Sequence, residues 1–335
     1  MIRRMLKTAI LALACSAVAA NADTAPSACN GEDLIARMQR DEPARYQEML
    51  DRFARIENND SIFWKVEKPG LAASYLFGTA HVTDKRVLDR LDEVEPYLEN
   101  ARLLAVEIAD LNPDMASQMS VIQQYGMLPE GETLDSRLSE EELKLMAEAT
   151  AKHGMPWFSA RRMKAGLLAV TMAIPPCAKI AIMRGEKVLD ARLIEFARGR
   201  GIPVLGIETI AEQLSLVGKL DDEKMLAALV ESARSDGSLA EDMYETTIRM
   251  HAADRIAMTT AFMEVKKADF PASSAAMESF EGPIIAARNH NMHERILPEL
   301  EKGGVFVAVG AMHLPDESGL VKLVRDSGFA VTPVE

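Results

Sequence analysis

Short apolar runs that stop at glycine mark both ends of this 335-residue chain, and longer stretches with helical spacing fill its middle. Ser74-Tyr75-Leu76-Phe77-Gly78-Thr79-Ala80-His81 and Val305-Phe306-Val307-Ala308-Val309-Gly310-Ala311-Met312-His313 share one grammar: an apolar run, a glycine, two residues, a histidine. Each run is short, aromatic and β-branched, which predicts a buried strand. Leu103–Val106 runs into Glu107 in the same way, and Ile202–Ile207 into Glu208. Ser61–Val66 and Leu71–Phe77, around Glu67-Lys68-Pro69-Gly70, predict a β-hairpin.

Between these strands the apolar period is helical. Glu32–Asn58 places Leu34, Ile35, Met38, Tyr46, Met49, Leu50 and Phe53 on one face, and a helix is expected from Asp84 to about Tyr97. Pro113–Glu186 reads as mostly helical, broken at Pro129-Glu130-Gly131, His153-Gly154-Met155-Pro156 and Pro175-Pro176. Asp190–Arg200 and Ala211–Lys267 are also helical, Phe270–Ser274 is expected as a loop, and Met277–Glu301 is a helix interrupted at Gly282-Pro283. The chain closes with the strand at Val305, a helix over Asp316–Ser327 and a strand over Phe329–Val334. The fold class is α/β (mixed α+β): a central sheet from N- and C-terminal strands, with a helical region over about 111–300 capping a site. One domain, 23–335, is expected. Met243, Met250 and Met258 recur at helical spacing and read as core filling ahead of a metal or peptide groove.

Four strands thus end in His81, Glu107, Glu208 and His313. Ligands of open α/β sheets bind at the carboxyl ends of strands. Each residue alone has a structural reading: a turn histidine, or a glutamate complementing a helix dipole. Together they suggest one site, because a carboxylate at the end of a buried strand is costly unless paired or coordinated. Two histidines and a carboxylate form a recurrent ligand set for a catalytic divalent metal.

The motifs resemble those of the TraB/PrgY/GumN family, related to the TIKI metalloproteases. The resemblance rests on Tyr75–Val82, Val106-Glu107, Val188-Leu189-Asp190, Gly206-Ile207-Glu208-Thr209, Arg288-Asn289 with Met292, and Phe306–Pro315. The order His81, Glu107, Arg288, His313 is also distantly similar to the erythromycin esterase and ChaN-like group. One departure is Val106–Asp110, where many relatives carry an acidic residue closer to the glutamate. The resemblance implies a metal-dependent hydrolase acting on peptide bonds. His81, Glu107 and His313 would hold Mn, Co, Fe or Zn; Glu208 would act as general base or fourth ligand; Arg288 would meet a substrate carboxylate or oxyanion; Asn289 would orient water or substrate. The chain has neither an H-E-x-x-H helix motif nor a G-x-S-x-G elbow. His290 and His293 share a helix face near Arg288 and read as surface residues, His153 as a helix C-terminal residue, and His251 has no assigned partner. Two other readings keep the fold without the chemistry: a periplasmic binding or regulatory module holding haem or peptide, and an interaction protein of envelope systems.

The N-terminus reads as an export signal. Arg3, Arg4 and Lys7 precede the apolar run Thr8–Ala20, and Ala20-Asn21-Ala22 offers a cleavage site, placing the mature chain of about 313 residues outside the cytoplasm, periplasmic or secreted. Cleavage leaves Cys29 and Cys177, a candidate disulfide of an exported protein. The formal net charge is −13, and loss of those three basic residues takes it to −16. Such acidity argues against nucleic acid and anionic membrane surfaces as partners and leaves a peptide or small-molecule substrate. No other stretch is long and apolar enough to insert stably in a membrane.

Overall fold

A computed structural model describes residues 29–110, 115–235, 238–280 and 284–334. The expected export signal, residues 1–22, lies outside them. Asp33 caps the first helix by accepting from the Ile35 and Ala36 N–H groups. The single helix expected over Glu32–Asn58 is two, α1 (Leu34–Asp41) and α2 (Pro43–Phe53). Pro43 has no N–H to continue α1, and its ring restricts Glu42, whose ψ is +58°. The predicted hairpin follows as β1 (Phe63–Glu67) and β2 (Ser74–Thr79), antiparallel with Phe63 opposite Phe77. Then come α3 (Lys85–Leu88), α4 (Arg90–Glu99) and β3 (Leu103–Val106).

The middle of the chain carries α5 (Met115–Tyr125), α6 (Glu140–Lys152), α7 (Trp157–Ala160), α8 (Ala165–Ala173), α9 (Pro176–Met183) and α10 (Leu189–Gly199). A short strand, β4 (Val204–Gly206), precedes α11 (Ile210–Val217), α12 (Asp222–Arg234), α13 (Ser238–Ala252) and α14 (Met258–Lys266). Residues 271–280, expected to begin as a loop, form α15 (Pro271–Phe280). The Glu231 carboxylate of α12 accepts from the Ala272 and Ser273 N–H groups, so a distant side chain caps this helix. The chain ends with α16 (Ala286–Leu300), β5 (Val305–Gly310), α17 (Leu320–Asp326) and β6 (Ala330–Pro333).

The strands form one mixed sheet in the order β4-β3-β5-β2-β1-β6. β4, β3, β5 and β2 run parallel, while at one edge β1 pairs antiparallel with both β2 and β6. Every residue of β3 is buried, and β5 is buried up to Gly310. Continuous apolar runs of this kind suit parallel strands covered on both faces. Phe63, Phe77 and Phe306 pack at centroid separations of 5.7 to 6.1 Å within the main core. Met250 and Met258 belong to that core as expected, while Met243 is only half-buried. A second, smaller core joins Leu134, Met146, Ala160, Leu168 and Leu226, and holds α6, α7, α8 and α12 together.

Cys29 and Cys177 form a disulfide that ties the segment before α1 to α9. No single described helix is long and apolar enough to cross a membrane; α8 and α9 reach that measure only as a pair, bent by 79°.

Candidate functional site

The parallel ladder brings the predicted residues to one edge. β5 lies between β2 and β3, so the loops after β4, β3, β5 and β2 emerge side by side at their carboxyl ends. Backbone pairing continues past β4: the Ile207 N–H donates to Val106 O and the Glu208 N–H to Glu107 O. Glu107 and Glu208 are therefore held as neighbours by the main chain. Both are buried.

The two G-x-x-H segments interlock. A Cβ on Gly78 would lie 2.8 Å from Ala311 Cα and Cβ. A Cβ on Gly310 would lie 3.2 Å from Glu107 Oε1 and 3.5 Å from His313 Cδ2. Glycine at 310 thus lets its N–H reach Glu107 Oε1, at 2.7 Å. His313 ends a short 3-10 turn, Ala311–His313, and is almost fully buried.

Arg288, from the first turn of α16, joins the two carboxylates. Its Nη2 donates to Glu107 Oε2 at 2.8 Å and to Glu208 Oε2 at 2.6 Å, and its Nε to Glu208 Oε1 at 2.9 Å. Gln213 Nε2 of α11 donates to both as well, at 3.1 and 3.0 Å. This is how two buried acids stand side by side. Burial pushes the Glu107 pKa up, but the neighbouring imidazoles, the Arg288 guanidinium and the Gly310 N–H outweigh it, and the group lies below its usual value.

Each imidazole is anchored through Nδ1. His313 Nδ1 lies 2.6 Å from Asn289 Oδ1, and Asn289 Nδ2 donates to Ser318 O. His81 Nδ1 lies 2.9 Å from Asp190 Oδ2, while Thr79 Oγ1 donates to Asp190 Oδ1 at 2.7 Å. In the neutral ring, as at His313, an Nδ1–H held by an oxygen acceptor leaves Nε2 with its lone pair. His313 Nε2 lies 3.8 Å from Glu107 Oε1.

The surroundings push the two histidines in opposite directions. Asp190 raises His81 to about 9 against the opposing effect of desolvation. The His81 ring is 62 % exposed, so water weakens that pairing and the upward direction is what matters. Burial lowers His313 to about 4. The two imidazoles are thus pushed apart, His81 toward the charged and His313 toward the neutral form, the arrangement in which acid and base roles separate.

Asp190 and Gln213 are not among the expected site residues. Asp190 stands within one of the sequence anchors, but in the first turn of α10 it reads as an ordinary acidic helix start. Gln213 follows the Thr209–Glu212 capping box of α11 and carries no sequence signal of its own. Asn289, expected to meet water or substrate, has both ends of its carboxamide bonded to His313 and Ser318. His290 pairs with Glu294 on the surface and His293 with Ser327, so neither joins the site. His251 is fully buried and its Nε2 donates to the Gly78 carbonyl, directly behind the first motif.

Among the described residues, no three His, Cys, Asp or Glu side chains are arranged to hold a metal ion. Glu107 is engaged by Arg288, Gln213 and Gly310. In kind, however, the donors suit a divalent ion: two imidazole Nε2 atoms with their Nδ1 atoms fixed, beside a carboxylate.

Residues 62–333 match the sequence profile of the TraB/PrgY/gumN family. The uncharacterized protein YbaP of Escherichia coli K12 is 22% identical over 77% of this chain and 89% of its own length, and that of Shigella flexneri is 23% identical over the same shares. The metalloprotease TIKI2 of Danio rerio is 23% identical over 84% of this chain and 62% of its own. No solved structure matches.

Proposed function

This chain belongs to the TraB/PrgY/gumN family, and on that premise we propose that it is a hydrolase that cleaves amide bonds, peptides being the substrate class, at the edge between His81 and His313. One observation carries the reading: two imidazoles, each fixed through Nδ1, flank a carboxylate pair bridged by Arg288. The similarity to a protein named a metalloprotease supports the same direction.

The chain's own groups divide the work. Neutral His313 accepts a proton from the attacking water at Nε2. Imidazolium His81 and the Arg288 guanidinium face the negative charge that develops on the carbonyl oxygen, and His81 supplies a proton to the leaving amine. Glu107 and Glu208 hold Arg288, while Asn289 and Asp190 hold the imidazoles in place. A divalent ion, if bound, would be held by the His81 and His313 Nε2 atoms with Glu107, and would supply Lewis-acid polarisation and a more acidic water. The Cys29–Cys177 disulfide and the lack of a single membrane-length helix among the described residues are compatible with export, and we place the working enzyme outside the cytoplasm.

The test is cleavage of a mixed peptide library, read by mass spectrometry, with protein as isolated, chelated, and loaded with Mn²⁺, Co²⁺, Fe²⁺ or Zn²⁺. Cleavage by the wild type that is lost in folded His313→Ala and His81→Ala variants supports the proposal. No cleavage under any metal condition overturns it, and a Soret band on the purified protein would favour a haem-binding role instead.

A further inference from the structure

A groove of about 810 Å3 opens in the helical region, and none of the residues of the His–Glu site lines it. That volume falls within the range of small-molecule sites, roughly 300–1,000 Å3. Met172, Met225, Met243, Met263 and Met277 make up much of its wall, each only half-buried. Unbranched, polarisable methionine adapts to a flexible apolar guest. Val170, Ala173 and Pro176 form part of the same wall where α8 turns into α9. On the same two helices and the turn between them, Val170, Ile174, Ile180, Ile182 and Met183 are 39 to 86 % exposed.

Charge narrows the choice of guest. His153 and Lys152 line the groove, and Lys179 of α9 donates from Nζ to His153 Nδ1 at 3.3 Å. His153 is the only side chain that Lys179 contacts in a hydrogen bond or ion pair among the described residues. The His153 ring also hydrogen-bonds the Ile174 backbone, so His153 holds the Lys179 ammonium at the α6–α9 rim of the groove, and among the described residues no carboxylate neutralises that ammonium. Burial holds both below their usual pKa values. Ser232, Ser238 and Ser273, with Glu148 and Glu241, are the remaining polar residues of the wall. A peptide backbone laid there would leave most of its N–H and C=O groups without partners, whereas an acyl chain has none to satisfy.

We propose that this groove binds a long-chain fatty acid, with the acyl chain along the methionine wall and the carboxylate at the Lys179 ammonium, which His153 holds at the rim. The exposed α8–α9 corner gives such a chain an apolar approach to the groove. The site is separate from the proposed hydrolytic site and does not depend on that activity.

The test is calorimetric titration of the mature protein with palmitate, hexadecanol and hexadecyltrimethylammonium, beside flotation with phosphatidylglycerol vesicles. Two variants accompany it: Lys179→Glu, at a half-buried surface position, and Ala228→Trp, which fills the groove wall. Unfolding midpoints verify that both remain folded. The expected result is one palmitate per chain, bound at least tenfold more weakly by each variant, with hexadecanol weaker than palmitate in the wild type. Absence of saturable palmitate binding overturns the proposal, as does equal binding of the ammonium amphiphile or indifference to both variants. Vesicle binding without palmitate binding overturns it in favour of a membrane contact.

Discussion

The Asp190 carboxylate stands 2.9 Å from His81 Nδ1 and ties a helix start in the middle of the chain to the first of its two histidine motifs. The pair sets the charge of His81. Asp190→Asn keeps the shape and removes the charge, so the His81 pKa should fall from about 9 toward the ordinary value near 6.5. NMR titration of the His81 ring reads this directly, and an unchanged titration would show that Asp190 does not control it. A raised folded-state pKa also means that the stability from this pair is complete below about pH 6.5 and is lost as pH rises through about 9.

His251 gives the opposite pH dependence. Burial lowers it to about 4 while its Nε2 donates to Gly78 O. The unfolded chain therefore binds the proton more readily between about 6.5 and 4, and stability falls as pH drops through that window, by up to ~3 kcal/mol. Urea unfolding at pH 7.0 and 4.5 should show a smaller difference in His251→Phe than in the wild type. His313 contributes with the same sign, so His313→Ala serves as the reference.

Removing Arg288 leaves two buried carboxylates facing each other. Arg288→Met should cost about 3–5 kcal/mol, in the range of broken buried ion pairs. Adding Glu208→Gln should recover part of that loss, because one of the uncompensated charges disappears. Additive losses in denaturant titrations would show that the triad is not coupled.

The interlocked motifs make Gly78 intolerant of a side chain. Gly78→Ala forces a methyl to 2.8 Å from the Ala311 Cα and should destabilise by at least ~1–3 kcal/mol. Gly199→Ala meets nothing within 4 Å in the last turn of α10 and should be neutral or stabilising by up to ~1 kcal/mol. Thermal melts of the two variants give the contrast.

The Cys29–Cys177 disulfide spans 148 residues. In the chain-entropy account such a loop contributes up to ~5 kcal/mol. Reduction should therefore lower the melting temperature, and the Cys29→Ser, Cys177→Ser variant should melt at the reduced value with or without reductant.

Much of the site is legible in the amino-acid order because its carriers are local. An apolar run that stops at Gly78 or Gly310 declares a strand and its carboxyl end within a few residues, and His81, His313, Glu107 and Glu208 follow at once. Helix breaks at Pro129 and Pro175 are legible for the same reason, since proline acts on its immediate neighbours. Where a distant group decides the outcome, local reading fails. The expected loop at Phe270–Ser274 is instead the start of α15 because Glu231 supplies its cap.

The sequence by itself thus determined which residues end strands, the mixed α/β class, and two cysteines available to pair. Only the tertiary structure decided that β5 lies between β2 and β3, and hence that residues more than two hundred positions apart share an edge. It also decided that Asp190, Asn289 and Gln213 stand behind the histidines and glutamates, and that Met243 lines a groove while Met250 and Met258 fill the core. The reason is physical: strand formation and helix capping are satisfied within a few residues, whereas burying a charge requires a partner that the whole chain must deliver.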